Sequence, residues 1–233
     1  MDNTEEKKWD TFSDLIKSLN DKCNWLIIRN FEKLNNDFTF SEGEDIDILC
    51  SNLDLLVSVM KAKKREGGRC SYSVHINNQI VPLDIRFIGD KYFDPLWARD
   101  MLKNKVFQKE IPVLNNKDYF FSLLYHIKLQ KYFIKDEYIP RLKILARKIN
   151  LENLNDDFIY DDIVCSKILN DFLAKNNYRY TYTDDARRNI KFLEKIERKE
   201  IVDLTTNWRL LFKFLFSSIS DKLIRKLKRN KSF

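Results

Sequence analysis

The stretch Asp45-Ile46-Asp47-Ile48-Leu49 decides the fold, because it alternates acidic and aliphatic residues. Successive side chains of a β-strand point to opposite faces, so this alternation predicts a strand with one acidic face and one buried face. The carboxylates of Asp45 and Asp47 are expected on the same face, with about 6–7 Å between their Cα atoms. An earlier apolar run, Trp25-Leu26-Ile27-Ile28, is typical of a buried strand.

A second acidic strand is predicted downstream. Asp84 lies in a run from Ile80 to Ile88 that carries β-branched or aromatic residues at alternate positions. Together with the run from Cys70 to Ile76 and the turn Asn77-Asn78-Gln79, it predicts an antiparallel hairpin. If the two acidic strands are neighbours in one sheet, the carboxylate of Asp84 gathers with those of the first strand.

Three carboxylates on one side of a sheet repel each other unless they are solvated or neutralised. Oxygen-only ligands favour Mg²⁺ or Mn²⁺ over zinc, and two such ions can hold the attacking and the leaving oxygen of a phosphoryl displacement. We therefore predict Asp45, Asp47 and Asp84 as metal ligands and catalytic residues. A solvated acidic sheet face is the alternative interpretation of the same pattern.

The predicted fold class is α+β, in which a small mixed β-sheet with flanking helices precedes an all-helical C-terminal domain. The predicted boundaries are an α/β domain at residues 1–116, a helical domain at 117–204 and a basic amphipathic tail at 205–233. The helices are predicted from apolar residues at three- and four-residue spacing. The predicted helices run from Trp9 to Leu19, Leu53 to Met60, Asp118 to Leu129, Pro140 to Ile149, Ile163 to Phe172 and Thr183 to Ile196. Asp118 is the predicted N-cap of its helix. A further strand is predicted from Lys109 to Leu114.

The positive charge of the chain is concentrated at its end. The chain has 42 basic and 35 acidic residues, net +7. Residues 205–233 hold eight basic residues and one acid, which already gives +7, so residues 1–204 are formally neutral. Because nucleic-acid binding requires a basic track, the neutral body is not expected to bind nucleic acid.

The tail itself has an amphipathic pattern. From Trp208 to Leu227, apolar residues recur at helical spacing opposite lysines and arginines. This pattern predicts a peripheral membrane contact through residues 207–229. An ordinary packed C-terminal helix, or a helix that binds RNA or a protein partner, is the alternative.

Four widely separated cysteines and only two histidines exclude a Cys/His zinc module and argue against a disulfide framework. We expect reduced thiols. The start of the chain has no secretory pattern, and no apolar run approaches about eighteen residues, so a cytoplasmic location is expected, at the membrane periphery if the tail binds lipid. No P-loop, Rossmann, serine-hydrolase or zincin motif is present.

In the order and spacing of its elements, the sequence resembles the nucleotidyltransferase-fold superfamily, which includes DNA polymerase β and the aminoglycoside nucleotidyltransferases. The family pattern is an apolar strand, a Gly-Ser turn into a helix, an h-D-h-D-h element and a third acid on a later strand. Here the strand is Trp25-Leu26-Ile27-Ile28, the central element is Asp45-Ile46-Asp47-Ile48 and the third acid is Asp84. The resemblance covers residues 10–116, and a helical C-terminal domain is also usual in that group.

The resemblance implies a Mg²⁺- or Mn²⁺-dependent enzyme that transfers a nucleoside monophosphate from an NTP such as ATP or CTP, with pyrophosphate leaving. Asp45 and Asp47 would bind the metal that carries the triphosphate. Asp84 would share a second metal and accept the proton of the acceptor hydroxyl. The neutral body favours a small molecule, a sugar phosphate or an envelope precursor as acceptor.

The sequence departs from the family at the turn, where Arg29-Asn30 replaces Gly-Ser. Asn30 is expected to cap the following helix and, together with Arg29, to contact the nucleotide phosphates. Arg86 is predicted to bind the nucleotide as well, with pairing to the acidic cluster as the alternative. The departure also supports a second hypothesis, a catalytically inactive nucleotidyltransferase-fold module with a binding or regulatory role.

Two further features are expected to be structural. His126 is a lone histidine on a partly apolar predicted helix. The run Tyr178-Arg179-Tyr180-Thr181-Tyr182 favours packing against helices, with stacking on a base or sugar as the alternative.

Overall fold

The structure, a computed structural model, describes residues 9–34, 45–66, 68–131, 134–151, 154, 155, 157–181, 189–193 and 195. The amphipathic tail at 205–233 and the predicted helix start at Thr183 lie outside these residues.

A seven-stranded mixed sheet forms the centre of the described part. Its strands are β1 Trp25–Ile27, β2 Ile46–Cys50, β3 Lys63–Lys64, β4 Ser71–Ile76, β5 Gln79–Phe87, β6 Val106–Gln108 and β7 Ile111–Val113. The spatial order is β3-β4-β5-β2-β1-β7-β6. The pairs β2–β5 and β1–β7 are parallel, and the other neighbours are antiparallel. The prediction of a mixed sheet with flanking helices is confirmed.

The hairpin predicted between residues 70 and 88 is confirmed as β4 and β5. Asn77 and Asn78 have φ values of 45° and 62°, in the left-handed region that a two-residue hairpin turn requires and that asparagine tolerates. Gln79, predicted in the turn, is the first residue of β5.

The strand predicted at 109–114 is confirmed as β7 Ile111–Val113, whereas its antiparallel partner β6 Val106–Gln108 was not predicted. Lys109 has a φ of 57°, which turns the chain and leaves two short antiparallel strands, β6 and β7. A left-handed lysine carries no local sequence signal, so the apolar pattern alone did not reveal this turn.

Helices flank the sheet and continue after β7. They are α1 Phe12–Lys22, α2 Leu53–Met60, α3 Pro95–Lys103, α4 Asn116–Leu129, α5 Tyr138–Lys148, α6 Asp162–Lys175 and α7 Ile190–Leu193, with 3₁₀ turns at Phe31–Lys33 and Phe158–Tyr160. Trp9, predicted inside the first helix, precedes it and forms a β-bridge with Ile76. The predicted N-cap Asp118 is wrong, because the side chain of Asn115 accepts the Asp118 N–H and α4 begins earlier.

The two faces of the sheet differ in chemistry. On the apolar face, defined by Ile27, Ile46, Ile48 and Leu83, strand side chains pack against Leu15 and its neighbours on α1. The opposite face, defined by Asp45, Asp47, Asp84 and Arg86, is called the charged face here. The register of β2 and β5 assigns Asp47, Asp84 and Arg86 to one side, and Asp45 directly precedes β2.

The buried side chains form one contiguous hydrophobic cluster that extends from Phe12 in α1 to Phe192 in α7. The predicted domain boundary between residues 116 and 117 stays a prediction. The four cysteines are free thiols. Among the helices of the described ranges, none combines the length and the apolar character that crossing a bilayer requires.

Candidate functional site

The three acids predicted from sequence lie together on the charged face. Asp47 and Asp84 are register partners on the neighbouring parallel strands β2 and β5, and Asp45 precedes Asp47 by two residues. Asp47 is buried, Asp84 is partly exposed and Asp45 is exposed. The acidic group therefore extends from the protein interior to solvent.

The carboxylates influence one another electrostatically. Desolvation raises the pKa of Asp45, and the charge of Asp47 raises it further. Burial also raises the pKa of Asp84, and Asp47 adds to this effect against the lowering influence of Arg86. Like charges disfavour ionisation only when they are close, so Asp47 lies close to both Asp45 and Asp84.

Arg29, two residues after the end of β1, is the counter-ion of Asp47. Its Nε donates to Asp47 Oδ2 at 3.2 Å, and its Nη2 donates to Asp47 Oδ1. Its Nη1 donates to the Tyr92 hydroxyl at 3.2 Å. Burial would lower the pKa of Arg29, but Asp47 and Tyr92 raise it above its ordinary value, so this guanidinium stays charged. The predicted contact of Arg29 with a nucleotide stays a prediction.

Arg86 neutralises Asp84 in a similar way. Its Nη2 donates to Asp84 Oδ2 at 3.0 Å, and its Nη1 lies 3.9 Å from Asp90 Oδ2. The guanidinium lies over the Tyr92 ring, 4.0 Å from its centroid. The structure thus shows Arg86 paired with the acidic cluster.

The turn after β1 differs from its prediction. Asn30 has a φ of 62°, in the left-handed region that glycine adopts most easily. It precedes a 3₁₀ turn of three residues, and its side chain caps none of the N–H groups there. Its Oδ1 instead accepts a hydrogen bond of 3.0 Å from Nη1 of Arg141 on α5. The expectation that Asn30 caps a helix is wrong, because this oxygen faces α5.

A buried polar network joins the charged face to α4. The Tyr92 hydroxyl lies 2.9 Å from Nδ1 of His126, and the same nitrogen lies 2.9 Å from Oε1 of Gln130. Gln130 Nε2 donates to the backbone carbonyl of Tyr92 at 3.3 Å. Burial lowers the pKa of His126 well below its ordinary value, and Arg29 lowers it further, so the imidazole is neutral.

The residues that sequence reasoning missed at this site come from distant parts of the chain. Tyr92 and Asp90 lie in the loop after β5, Gln130 ends α4 and Arg141 lies on α5. The sequence around Tyr92 is rich in aromatic residues, which by itself indicates no polar network. The polar partners are single residues without a motif, so only the fold identifies them.

The aromatic run near the end of the described chain packs inside the protein. The Tyr178 ring stacks on Trp97 with centroids 5.9 Å apart, and its hydroxyl donates to Asp100 Oδ2. Tyr180 is buried and stacks on Tyr125. The packing interpretation is confirmed for both residues.

A metal site must be judged on the donors present. Within the described ranges, no group of three or more histidine, cysteine, aspartate or glutamate side chains is arranged to hold a metal ion. Asp47 and Asp84 turn oxygens toward Arg29 and Arg86. The donor chemistry still fits Mg²⁺ or Mn²⁺, because the candidate ligands are all carboxylates, and each carboxylate has about four lone-pair sites, of which the arginines use only some.

Comparison with protein-family models and with curated proteins found no match for this chain.

Proposed function

We propose that this protein is a Mg²⁺-dependent nucleotidyltransferase that moves a nucleoside monophosphate from an NTP onto a small acceptor. One observation carries the proposal. Asp47 and Asp84 are register partners on parallel strands, and Asp45, which directly precedes β2, lies close enough for the charge of Asp47 to raise its pKa. This arrangement supports the order of acids on which the resemblance to the nucleotidyltransferase fold depends.

The proposed roles follow from exposure and charge. Asp45, Asp47 and Asp84 would hold the divalent cation, which when bound supplies charge neutralisation for the triphosphate. Asp84 would accept the proton of the acceptor hydroxyl, and its raised pKa makes it a stronger base than an ordinary aspartate. Arg29 and Arg86 keep the neighbouring carboxylates in place.

The proposed nucleotide-binding residues are Arg29, Asn30 and Arg86. Both arginines are buried and bonded to carboxylates. A phosphate would therefore contact either arginine only after a hydrogen bond between that arginine and its carboxylate has broken. Arg141, which bonds to Asn30, brings a further cation to the same turn.

We propose a small molecule, a sugar phosphate or an envelope precursor as acceptor. Residues 1–204 have no net charge, so they lack the basic track that a nucleic-acid acceptor needs. The finer fold assignment belongs to the same proposal, with a nucleotidyltransferase-like domain at 1–116 and an all-helical domain at 117–204.

We also propose a cytoplasmic location with a peripheral membrane contact through residues 207–229. Basic residues near a membrane are attracted by anionic lipid. The test is sedimentation of the full chain with vesicles of anionic phospholipid, compared with a full-length variant carrying glutamate at Arg225, Lys226, Lys228 and Arg229. Equal binding by both proteins contradicts the membrane contact.

The catalytic proposal is tested by thermal unfolding with each NTP, with and without Mg²⁺, alongside an assay of pyrophosphate release. We expect a Mg²⁺-dependent rise in melting temperature with at least one NTP, together with pyrophosphate release when an acceptor is present. Asp45→Asn should abolish both effects. Asp171→Asn, which removes one exposed carboxylate on α6, is the matched control and should change neither.

A second candidate function is a catalytically inactive nucleotide-binding or regulatory module. The observation that favours it is the pairing of Asp47 with Arg29 and of Asp84 with Arg86, which neutralises both acids without a metal. The same experiment separates the two candidates. Stabilisation by an NTP without pyrophosphate release from any acceptor tested supports the inactive module.

A further inference from the structure

Arg29 is held by more than its carboxylate. Its guanidinium nitrogens bond to both oxygens of Asp47 and to the hydroxyl of Tyr92. Behind Tyr92 lie His126 and Gln130 of the α4 region, so a continuous set of polar contacts joins Asp47 on β2 to a helix about eighty residues later. The contacts with Tyr92, His126 and Gln130 do not follow from the acidic motif.

The network has little freedom to rearrange, because it is closed to water. Arg29 is 3%, Tyr92 3%, His126 5% and Gln130 7% exposed. A buried polar group without a partner is costly, so each member is stabilised only while its neighbours keep their positions.

Three of the hydrogen-bond directions follow from the donor and acceptor chemistry of the groups. Gln130 Nε2 donates to the Tyr92 carbonyl, so Oε1 of the same amide faces His126 Nδ1. An amide oxygen can only accept, so Nδ1 of His126 carries the proton. The Tyr92 oxygen accepts from Arg29 Nη1. The bond from Nη1 to Tyr92 adds to the two bonds from Nε and Nη2 to Asp47. All three guanidinium nitrogens are therefore held, which restrains the orientation of the guanidinium plane.

We propose that Tyr92, His126 and Gln130 are positioning residues that hold Arg29 and, through it, fix the carboxylate of Asp47. The inference rests on the proposed function, because it treats Asp47 as a metal ligand. Partners behind a metal ligand orient it, and their loss typically weakens metal affinity by about 10–100-fold. Helix α4 therefore takes part in the site without contacting metal or nucleotide.

The first test measures coupling between Tyr92 and Asp47 by thermal unfolding without metal. Tyr92→Phe should lower the melting temperature of the wild-type protein, and by less than half as much in the Asp47→Asn background, where Arg29 has lost its bidentate partner. Tyr125→Phe is the matched control. It removes a different tyrosine hydroxyl, on α4, which donates to the Thr181 carbonyl, and its effect should be the same in both backgrounds. Equal effects of Tyr92→Phe in both backgrounds overturn the inference.

The second test titrates the full chain with Mn²⁺ and follows the free ion by electron paramagnetic resonance. Tyr92→Phe and His126→Leu should weaken Mn²⁺ binding by about tenfold or more. His126→Asn keeps an N–H donor near the position of Nδ1 and should restore binding to within about threefold of wild type. The control Tyr125→Phe should bind as the wild type does.

The outcomes separate this inference from the proposed function. If the wild type binds Mn²⁺ and Tyr92→Phe binds it equally well, the positioning role is wrong and the nucleotidyltransferase proposal stands. If the wild type binds no Mn²⁺ with or without NTP, the proposed metal site is wrong. In that case the thermal coupling alone decides whether Tyr92 fixes Asp47.

Discussion

The two faces of β2 show two different ways of burying a strand. Ile48 lies on the apolar face among side chains of α1, where contact with any well-fitting aliphatic group suffices. Asp47, the preceding residue, is also buried but is bonded to both Arg29 Nε and Nη2. Burial by itself therefore does not distinguish packing from function, whereas the specific partners of a buried side chain do.

The charged face is an expensive arrangement for a protein interior. Replacing a buried ion pair with apolar residues of similar size is often neutral or stabilising. A fold that needed only stability could therefore have continued the aliphatic pattern of Ile46 and Ile48 on both sides of the sheet. The buried charges of Asp47 and Arg29 lie beside Asp84, which is partly exposed, and Asp45, which is exposed. This costly arrangement next to solvent is the physical reason to place function on the charged face.

The largest expected effect comes from breaking the ion pair on the charged face. Arg29→Met leaves the Asp47 carboxylate buried and unpaired, so we expect the free energy of unfolding to fall by about 4 kcal/mol. Urea denaturation measures this change. The double variant Arg29→Met with Asp47→Leu removes both charges and should recover most of the loss. A single variant as stable as the wild type contradicts the buried pair.

A smaller loss is expected on the apolar face. Ile48→Ala removes buried methyl groups and leaves a cavity against α1, which should lower the free energy of unfolding by about 3 kcal/mol. The exposed Ile163, on α6, provides the control, because Ile163→Ala should stay within about 0.5 kcal/mol of wild type in the same denaturation experiment. If Asp47→Leu restores the free energy of unfolding that Ile48→Ala loses, the two faces of β2 do not contribute to stability independently.

The third prediction concerns pH. His126 is neutral in the folded protein because burial lowers its pKa, and Arg29, Lys131 and Arg86 disfavour its charged form while Gln130 opposes them. The unfolded chain takes up a proton near pH 6.5, so stability is lost as the pH falls below that value. Between pH 7.5 and 5.5 the loss from this residue should approach about 1.4 kcal/mol.

Comparison with His126→Asn isolates this contribution. The raised pKa values of Asp45 and Asp84 increase the free energy of unfolding as the pH falls, which is opposite to the effect of His126. Both aspartates are present in the wild type and in the variant, so their contributions largely cancel in the comparison. The variant should therefore show a weaker loss of unfolding free energy on acidification, measured by urea denaturation across the pH range. If the free energy of unfolding depends on pH in the same way in both proteins, protonation of His126 does not destabilise the folded protein.

The smallest expected effect lies in the turn that leads into the charged face. Asn30 has a left-handed backbone, which alanine adopts with strain and glycine without it. Asn30→Ala should therefore be about 1 kcal/mol less stable than Asn30→Gly in thermal or urea unfolding. Both variants lose the bond from Arg141, so their difference reports the backbone alone. Equal stabilities would contradict the left-handed conformation.

The sequence predicted what local patterns determine. The alternation at residues 45–49 identified β2 and its acidic side, and the Asn77-Asn78 turn identified the β4–β5 hairpin. These features depend on the two-residue period of a strand and on the backbone preferences of asparagine. Caps were less accurate, because Asn115 and Asp118 are both good N-cap residues and lie only three positions apart.

Pairing of Arg86 with the acidic cluster was one of two interpretations of the sequence, but the distant contacts of Arg29 and Asn30 could not be predicted in this way. Arg29 and Tyr92 are 63 residues apart, and Asn30 and Arg141 are 111 residues apart. Such contacts follow from how strands and helices pack, and no periodicity in one segment encodes them. For the same reason Arg29 and Asn30 were expected to serve a nucleotide, whereas the structure shows their side chains bonded within the protein.

The most direct test of the charged face as a metal site is anomalous diffraction from crystals grown with Mn²⁺ and a non-hydrolysable NTP. We predict an anomalous peak next to carboxylate oxygens of Asp45, Asp47 and Asp84, with the triphosphate beside it. The contradicting result is bound nucleotide elsewhere, or no peak on this face while Arg29 and Arg86 remain paired with their carboxylates.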